Sequence, residues 1–431
     1  TPYTKDPRDA PPGENPAPGA GGPAVGTADE PRGMSSEEKL LQKAQQIYTA
    51  SSDYLSANIT NAWERNLANF HNQHPSESKF AAAGYKRTKV FRPKTRSITK
   101  AQESALATAM FSSKDKVTIK PQNRKDEAQR VSAEINKLLL NYRLNNRMPW
   151  YQTVQGSYQD TKIYGLCVLN PFWRYEAKVD VIPAMGDDGS PVLDGGSGTP
   201  MGYEQETAIK DELVVDVVPP DMFRFDPNCD WRDPAGTSPY LIHIQPIYLH
   251  DARERMSQED PKTGQPIWIY RDDATLLATQ KQNYERTRQG REGNNRIDPA
   301  ETNIGDEYTT LWAHFNIVRE DGQDMAFWTM GTTVLLSEPV PLHEMFPHLQ
   351  RGERPYVVGF STIEAHKNYP AGDVDQVSGL QEETNIIVNQ RMDNVKLALN
   401  KRYFIRRSGQ VDMQSLARNV SGGGTMMTDI E

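Results

Sequence analysis

Long apolar runs are missing from this chain. No stretch approaches the roughly 20 consecutive apolar residues that a membrane span needs, and no basic stretch followed by an apolar one reads as a signal peptide. Cysteine is scarce: Cys167 and Cys229 are the two in 431 residues. They stand far apart with no CxxC, which excludes a disulfide scaffold and the usual zinc spacings and predicts two packed thiols in a reduced, cytoplasmic protein. Positive charge is in deficit as well, with 49 Lys and Arg against 57 Asp and Glu, a net charge of -8 and a pI near 5.6. A chain whose main task is to grip nucleic acid needs a basic face to neutralise phosphates, so this balance argues against that role.

Catalytic spacings are absent too. Without GxxxxGK[ST] the chain is no ordinary P-loop ATPase, and without GxSxG or HExxH it lacks the commonest serine hydrolase and zinc protease patterns. No spacing points to a cofactor. The one carboxylate group that invites a metal-dependent nuclease reading is Asp216, Asp221, Asp226, Asp230 and Asp233, since divalent cations prefer oxygen ligands. Pro219, Pro220, Pro227, Asn228 and Pro234 lie among them, a setting in which Asp serves turns. His71 and His74 have no cysteine or further histidine nearby and read as a helix-end surface pair rather than zinc ligands.

What is present has a clear order. Residues 1–34 are rich in Pro, Gly and Ala and have no hydrophobic period, the composition of a disordered tail. Ser35 and Glu38 form a capping box opening a helical pattern through Leu40, Ile47, Leu55, Trp63 and Phe70, one long helix or two joined ones. Further helical patterns run over about 99–111, 125–144 and 150–163. After Gly165 the texture becomes strand-like, with Val, Ile and aromatic runs at 166–178, 208–218, 239–248, 307–319 and 324–336. Gly186 to Gly189 and Asp321-Gly322 look like hairpin tips, whereas 194–200 and 280–304 read as loops. No internal repeat is visible. The order of helices then strands predicts an α+β body.

The segment from Ser378 to about Asn400 predicts one long amphipathic helix, with Ser378 and Gln381 as its capping box. Leu380, Ile387, Val388, Met392, Val395 and Leu399 recur at steps of three or four, and Glu382, Glu383, Asn389, Arg391, Asp393 and Lys396 fill the positions between. The apolar side is expected to pack. Lys401 to Arg407 then alternates basic with apolar or aromatic residues, Asp412 to Arg418 is expected to be a short helix, and Gly422 to Gly424 a turn. A separate basic run, Lys86, Arg87, Lys89, Arg92, Lys94, Arg96 and Lys100, contains no acidic residue. It suits DNA phosphates or an acidic partner, and equally a solvated loop or an edge strand guarded by lysine.

Several of these segments, taken in order, resemble the portal proteins of tailed bacteriophages, most of all the large portals of short-tailed phages. They are Phe91-Arg92-Pro93-Lys94-Thr95-Arg96, Met110 to Asp115, Asp160-Thr161-Lys162-Ile163-Tyr164-Gly165, Ile363-Glu364, Tyr369-Pro370-Ala371-Gly372, Leu380 to Asn385, Asn389 to Val395, and Gly422 to Gly424. The likeness runs over about residues 50–431 and lies in the order of the motifs.

That resemblance implies a portal-like α+β fold: a wing domain over 35–370, helical over 35–164 and β-rich over 165–350, then a stem helix over 371–400 and the start of an α/β clip over 401–431. It implies a chain that is a fragment of a longer portal, and a ring of twelve copies at one capsid vertex through which double-stranded DNA is packaged and ejected. The implied partners are terminase, tail adaptor, capsid and scaffold proteins, and the place is the virion, after assembly in the bacterial host cytoplasm, with no enzymatic step and no membrane. An acidic wall then lets DNA slide. By the same resemblance Glu383, Arg391, Asp393, Val395 and Lys396 face the channel or a neighbouring subunit, and Lys401, Arg402, Arg406 and Arg407 meet terminase or adaptor. Lys86, Arg87, Lys89, Arg92, Lys94 and Arg96 form a DNA or partner patch. Two other readings are a different virion structural or scaffold-binding protein and the metal-dependent nuclease.

Overall fold

The computed structural model describes residues 35–183, 202–259, 266–279, 282–292, 308–350, 352–399, 403–404 and 426–427. Helix α1 (Ser36–Asn58) begins at the expected capping box: Ser35 Oγ accepts from the Glu38 amide at 3.2 Å and the Glu38 carboxylate accepts from the Ser35 amide at 2.8 Å. The pattern breaks at Ile59, and α2 (Thr60–Phe70) follows. Then come α3 (Lys94–Phe111), α4 (Glu127–Asn146) and α5 (Trp150–Tyr164), which ends at left-handed Gly165.

Two sheets follow. In one, β1 (Leu166–Pro183) pairs antiparallel with β2 (Gly202–Val218) and with β9 (Val357–Phe360). The other runs β3 (Phe223–Phe225), β4 (Tyr240–Tyr248), β5 (Thr310–Glu320), β6 (Gln323–Met330) and β7 (Val334–Leu335), with β8 (Val340–Pro341) on β6. Most of β5 is buried, as its near-continuous apolar run requires of a central strand. The β5–β6 hairpin turns on Asp321 and Gly322, both at positive φ, the geometry that an Asp-Gly pair favours.

The main core joins the helices to both sheets through Leu55, Trp63, Phe70, Ile163, Val168, Phe223, Phe225 and Phe315. Trp63 Nε1 donates to the Tyr164 carbonyl and Asn66 Nδ2 to that of Ile163, each at 3.0 Å, so the last turn of α5 is tied to α2. Cys167 is buried, Cys229 half-buried, and burial pushes both thiols up to about 11. Neither is poised as a nucleophile.

Three sequence expectations need correction. A helical pattern is expected from about 99, but helix α3 starts at Lys94 and so takes in Lys94 and Arg96 of the basic run. The loop expected over 280–304 holds a helix, α6 (Gln282–Glu292). It forms despite having no apolar period because two anchors hold it: Tyr284 packs beside Trp312 and Tyr48, and Arg291 reaches the buried Asp221 carboxylate with contacts of 2.6 and 2.7 Å. The long helix covers Asp373–Leu399, starting before Ser378, whose Oγ donates back to the Asp375 carbonyl rather than capping. At 27 residues it is about 40 Å long. The tail 1–34, the hairpin tip 186–189, the loop 194–200, the short helix 412–418 and the turn 422–424 lie outside the described residues.

Candidate functional site: a basic strap clamped to the long helix

The long helix is turned inside out relative to its pattern. Gln381, Asn385 and Asn389 are 2%, 3% and 1% exposed, whereas Leu380, Ile387, Val395 and Leu399 are 65%, 56%, 46% and 72% exposed. Within the subunit, therefore, the expected packing of the apolar side does not occur; the amide side packs instead. Buried amides are tolerated only when hydrogen-bonded, and the partner here is the backbone of residues 88–95, a segment outside helix and strand over 88–93 that runs into the first free amides of α3 at Lys94 and Thr95.

Each amide meets the strap in turn. Gln381 Oε1 accepts from the Lys94 and Thr95 amides at 3.1 and 3.0 Å, and its Nε2 donates to the Arg92 carbonyl at 2.5 Å. Asn385 Oδ1 accepts from the Arg92 amide at 2.9 Å. Asn389 both accepts from the Val90 amide and donates to the Val90 carbonyl, at 2.7 and 2.9 Å. At the far end Asp393 Oδ1 accepts from the Thr88 amide at 3.1 Å and the Thr88 hydroxyl at 2.6 Å, and Lys396 Nζ donates to that hydroxyl at 2.7 Å. The Thr88 bonds hold the Asp393 carboxyl below the usual carboxylate range. The geometry is favourable because four helical residues advance about 6 Å and two extended residues nearly the same. Every second strap residue thus meets one amide, as it would a neighbouring strand.

The opposite side of the strap is held by aromatic packing. His74 lies between Phe80 and Phe91, with ring centroids 4.9 and 5.2 Å away, and its Nε2 bonds to the Lys89 carbonyl. The result is a rigid extended segment whose charged side chains point outward. Lys86, Arg87, Lys89, Arg92 and Lys94 are exposed. Among the described residues, Lys86, Lys89, Arg92 and Lys94 have no salt-bridge partner. Arg96 and Lys100 differ: both stack over Phe70, and Lys100 also pairs with Glu103.

The start of the long helix is fixed just as tightly. Gly372 packs against the Lys162 and Ile163 carbonyls and the Gly165 amide, and Gly165, at φ +87°, lies against the Pro370 carbonyl. Lys162 Nζ pairs with Asp373 at 2.7 Å, and Ser361 Oγ donates to the same carboxylate at 2.7 Å. Burial raises the Asp373 carboxyl, but these two bonds overcome that and leave it lowered. Sequence segments far apart along the chain, 88–95 with 381–393 and 162–165 with 370–373, therefore meet along the one helix.

The other candidates fall out as follows. Glu383, Arg391 and Val395 are exposed, while Asp393 and Lys396 are engaged with Thr88 inside the subunit. Lys401, Arg402, Arg406 and Arg407 lie outside the described residues. Asp226, Asp230 and Asp233 accept from the amides of Asn228, Arg232 and Gly236, which is turn and cap chemistry, and Asp221 is paired with Arg291. His71 Nε2 bonds to the Arg291 carbonyl. Among the described residues no helix is long and apolar enough to cross a membrane.

Residues 40–192 match the family model described as the phage SU10 portal protein. This span is about a third of the chain and contains the whole basic strap, α2 to α5 and the Lys162–Gly165 end of the junction. It supports a phage portal, a structural protein of the virion, and not its subtype. Among curated proteins none matches the chain.

Proposed function

We propose that this protein is the subunit of a phage portal: copies of the chain, twelve by the family resemblance, form a ring-shaped channel at one capsid vertex for packaging and ejecting double-stranded DNA. In this reading it docks terminase and later the tail adaptor, contacts capsid and scaffold proteins, and transfers no chemical group. The match over residues 40–192 carries the proposal. The long helix supports it, because a helix of 27 residues that buries its amides and leaves Leu380, Ile387 and Val395 in solvent has an uncovered apolar face of the sort that subunit contacts cover.

Wing, stem and the beginning of a clip are the roles we assign to 35–370, 371–400 and 401–431. Glu383, Arg391 and Val395 then face the channel or the next subunit, and Lys401, Arg402, Arg406 and Arg407 meet terminase or adaptor. The exposed strap cations Lys86, Arg87, Lys89, Arg92 and Lys94 are a partner or DNA patch. Negative-stain electron microscopy of the purified full-length protein tests the reading. Rings with a central channel are expected, and monodisperse particles without a channel would overturn it. Val395→Asp should weaken ring formation, whereas Lys396→Ala should leave rings intact.

A further inference from the structure

Helix α4 carries a second uncovered apolar face, remote in sequence from the long helix. Its inner side is held: Ala133, Asn141 and Leu144 are buried, and Asn141 accepts from the Lys116 and Val117 amides at 2.7 and 3.0 Å and donates to the Val117 carbonyl at 2.9 Å. Its outer side is bare. Val131, Ile135, Leu138 and Tyr142 follow one another at steps of three or four and are 52%, 58%, 64% and 54% exposed. That spacing makes a single stripe. A groove of about 360 Å³ runs beside it, between Val131 and Leu138 on the helix and Ile119 and Pro121 on the adjoining segment. Large apolar side chains gathered on one helical face mark a contact surface rather than scattered surface residues.

The charge around this stripe indicates what covers it. Residues 114–147 hold nine Lys and Arg against four Asp and Glu, a net of +5, in a chain whose total is -8, so the remainder carries -13. Lys114, Lys120, Arg124, Lys125 and Arg130 are all exposed. A closed ring joins each copy to the next through two different patches, which must be complementary to each other. Here one patch is basic and apolar, and the rest of the same molecule, the basic strap included, carries a net negative charge.

The geometry points to the α4 stripe as an interface with a second copy of this chain, its cations facing acidic surface on the neighbour. This rests on the ring reading and adds a contact separate from the long helix.

The test uses the full-length protein and the double variant Ile135→Asp, Leu138→Asp. Both residues are exposed in the subunit, so unfolding of the separated subunit should be unchanged while the concentration for half-assembly rises at least tenfold by analytical ultracentrifugation. A Leu138→Cys variant gives an independent readout: in assembled particles maleimide labelling of Cys at that position should slow at least tenfold relative to separated subunits. Variant rings forming at wild-type concentration, with labelling equally fast in ring and subunit, would overturn the inference and leave the portal reading standing. Loss of some other protein's binding with rings intact would also overturn it, assigning the stripe to that partner. Wild-type assemblies that protect the stripe but are not rings would sustain the inference and overturn the portal reading; a wild-type monomer would overturn both.

Discussion

Asn389 holds Val90 by both halves of its backbone, accepting from the amide and donating to the carbonyl, whereas Asp393 only accepts, from the Thr88 amide and hydroxyl. The two positions should therefore respond unequally to exchange of amide and carboxylate. Asn389→Asp sets a carboxylate against the Val90 carbonyl in a buried place and should cost about 2–4 kcal/mol. Asp393→Asn keeps an acceptor and should cost about 1 kcal/mol or less. Urea unfolding measures both, and trypsin should cut the strap at Arg87 or Lys89 faster in the first variant alone. Equal losses would mean that the pairing is not what holds the strap.

Gly165→Ala combines a left-handed backbone with a Cβ that would overlap the Pro370 carbonyl oxygen. Strain and collision together place it among the severe substitutions, about 3 kcal/mol or more. The measurement is thermal unfolding, with Gly84→Ala, where a Cβ meets open space, as the mild comparison.

Arg291→Met leaves the Asp221 carboxylate buried without its guanidinium. In the intact pair burial raises the Asp221 carboxyl and Arg291 opposes that shift. Breaking one side of such a pair costs about 3–5 kcal/mol, and the variant should also detach α6, seen as faster amide hydrogen exchange over 282–292.

Burial first, then the neighbouring Asp221 charge, pushes the Asp160 carboxyl up to about 8, against the pull of Arg291. Its folded-state pKa is above the unfolded value of 3.8. The folded state thus binds the extra proton, and this group's contribution falls as pH rises from about 4 to 8. Asp160→Asn removes that loss, so its stability relative to wild type should climb across this window. Urea midpoints at pH 5 and pH 8.5 check it; a constant difference would show that Asp160 is not the group responsible.

Much of the fold can be read from residue order. The Ser35 and Glu38 box, the apolar steps of α1, α2, α4 and α5, the β1, β4, β5 and β6 runs and the Asp321-Gly322 turn each leave a local signal. The clamp leaves hardly any. Gln381, Asn385 and Asn389 look like a solvent face because their partner is backbone nearly 300 residues earlier, and backbone has no sequence identity to recognise. One hint is available: three amides at steps of four, each able to donate and accept, are an unusual choice for a face that merely needs solubility. Helix α6 was equally hidden, since Tyr284 and Arg291, which anchor it, stand among polar neighbours and repeat at no apolar period.

The clamp between helix and strap also limits its own length. Four helical residues rise about 6.0 Å and two extended ones about 6.6 Å, so the two scales slide past each other like a vernier, by about 0.6 Å at each step. The helix stripe also swings about 40° around its axis each time. Over the three intervals from Gln381 to Asp393 the accumulated offset approaches about 2 Å, and the ends take it up. Gln381, one methylene longer than asparagine, reaches across Arg92, Lys94 and Thr95 at one end. At the other, Thr88 contributes a hydroxyl of its own to close the gap. Lengthening the register by a further amide at position 397, where Leu397 now stands exposed, would find the strap already out of step.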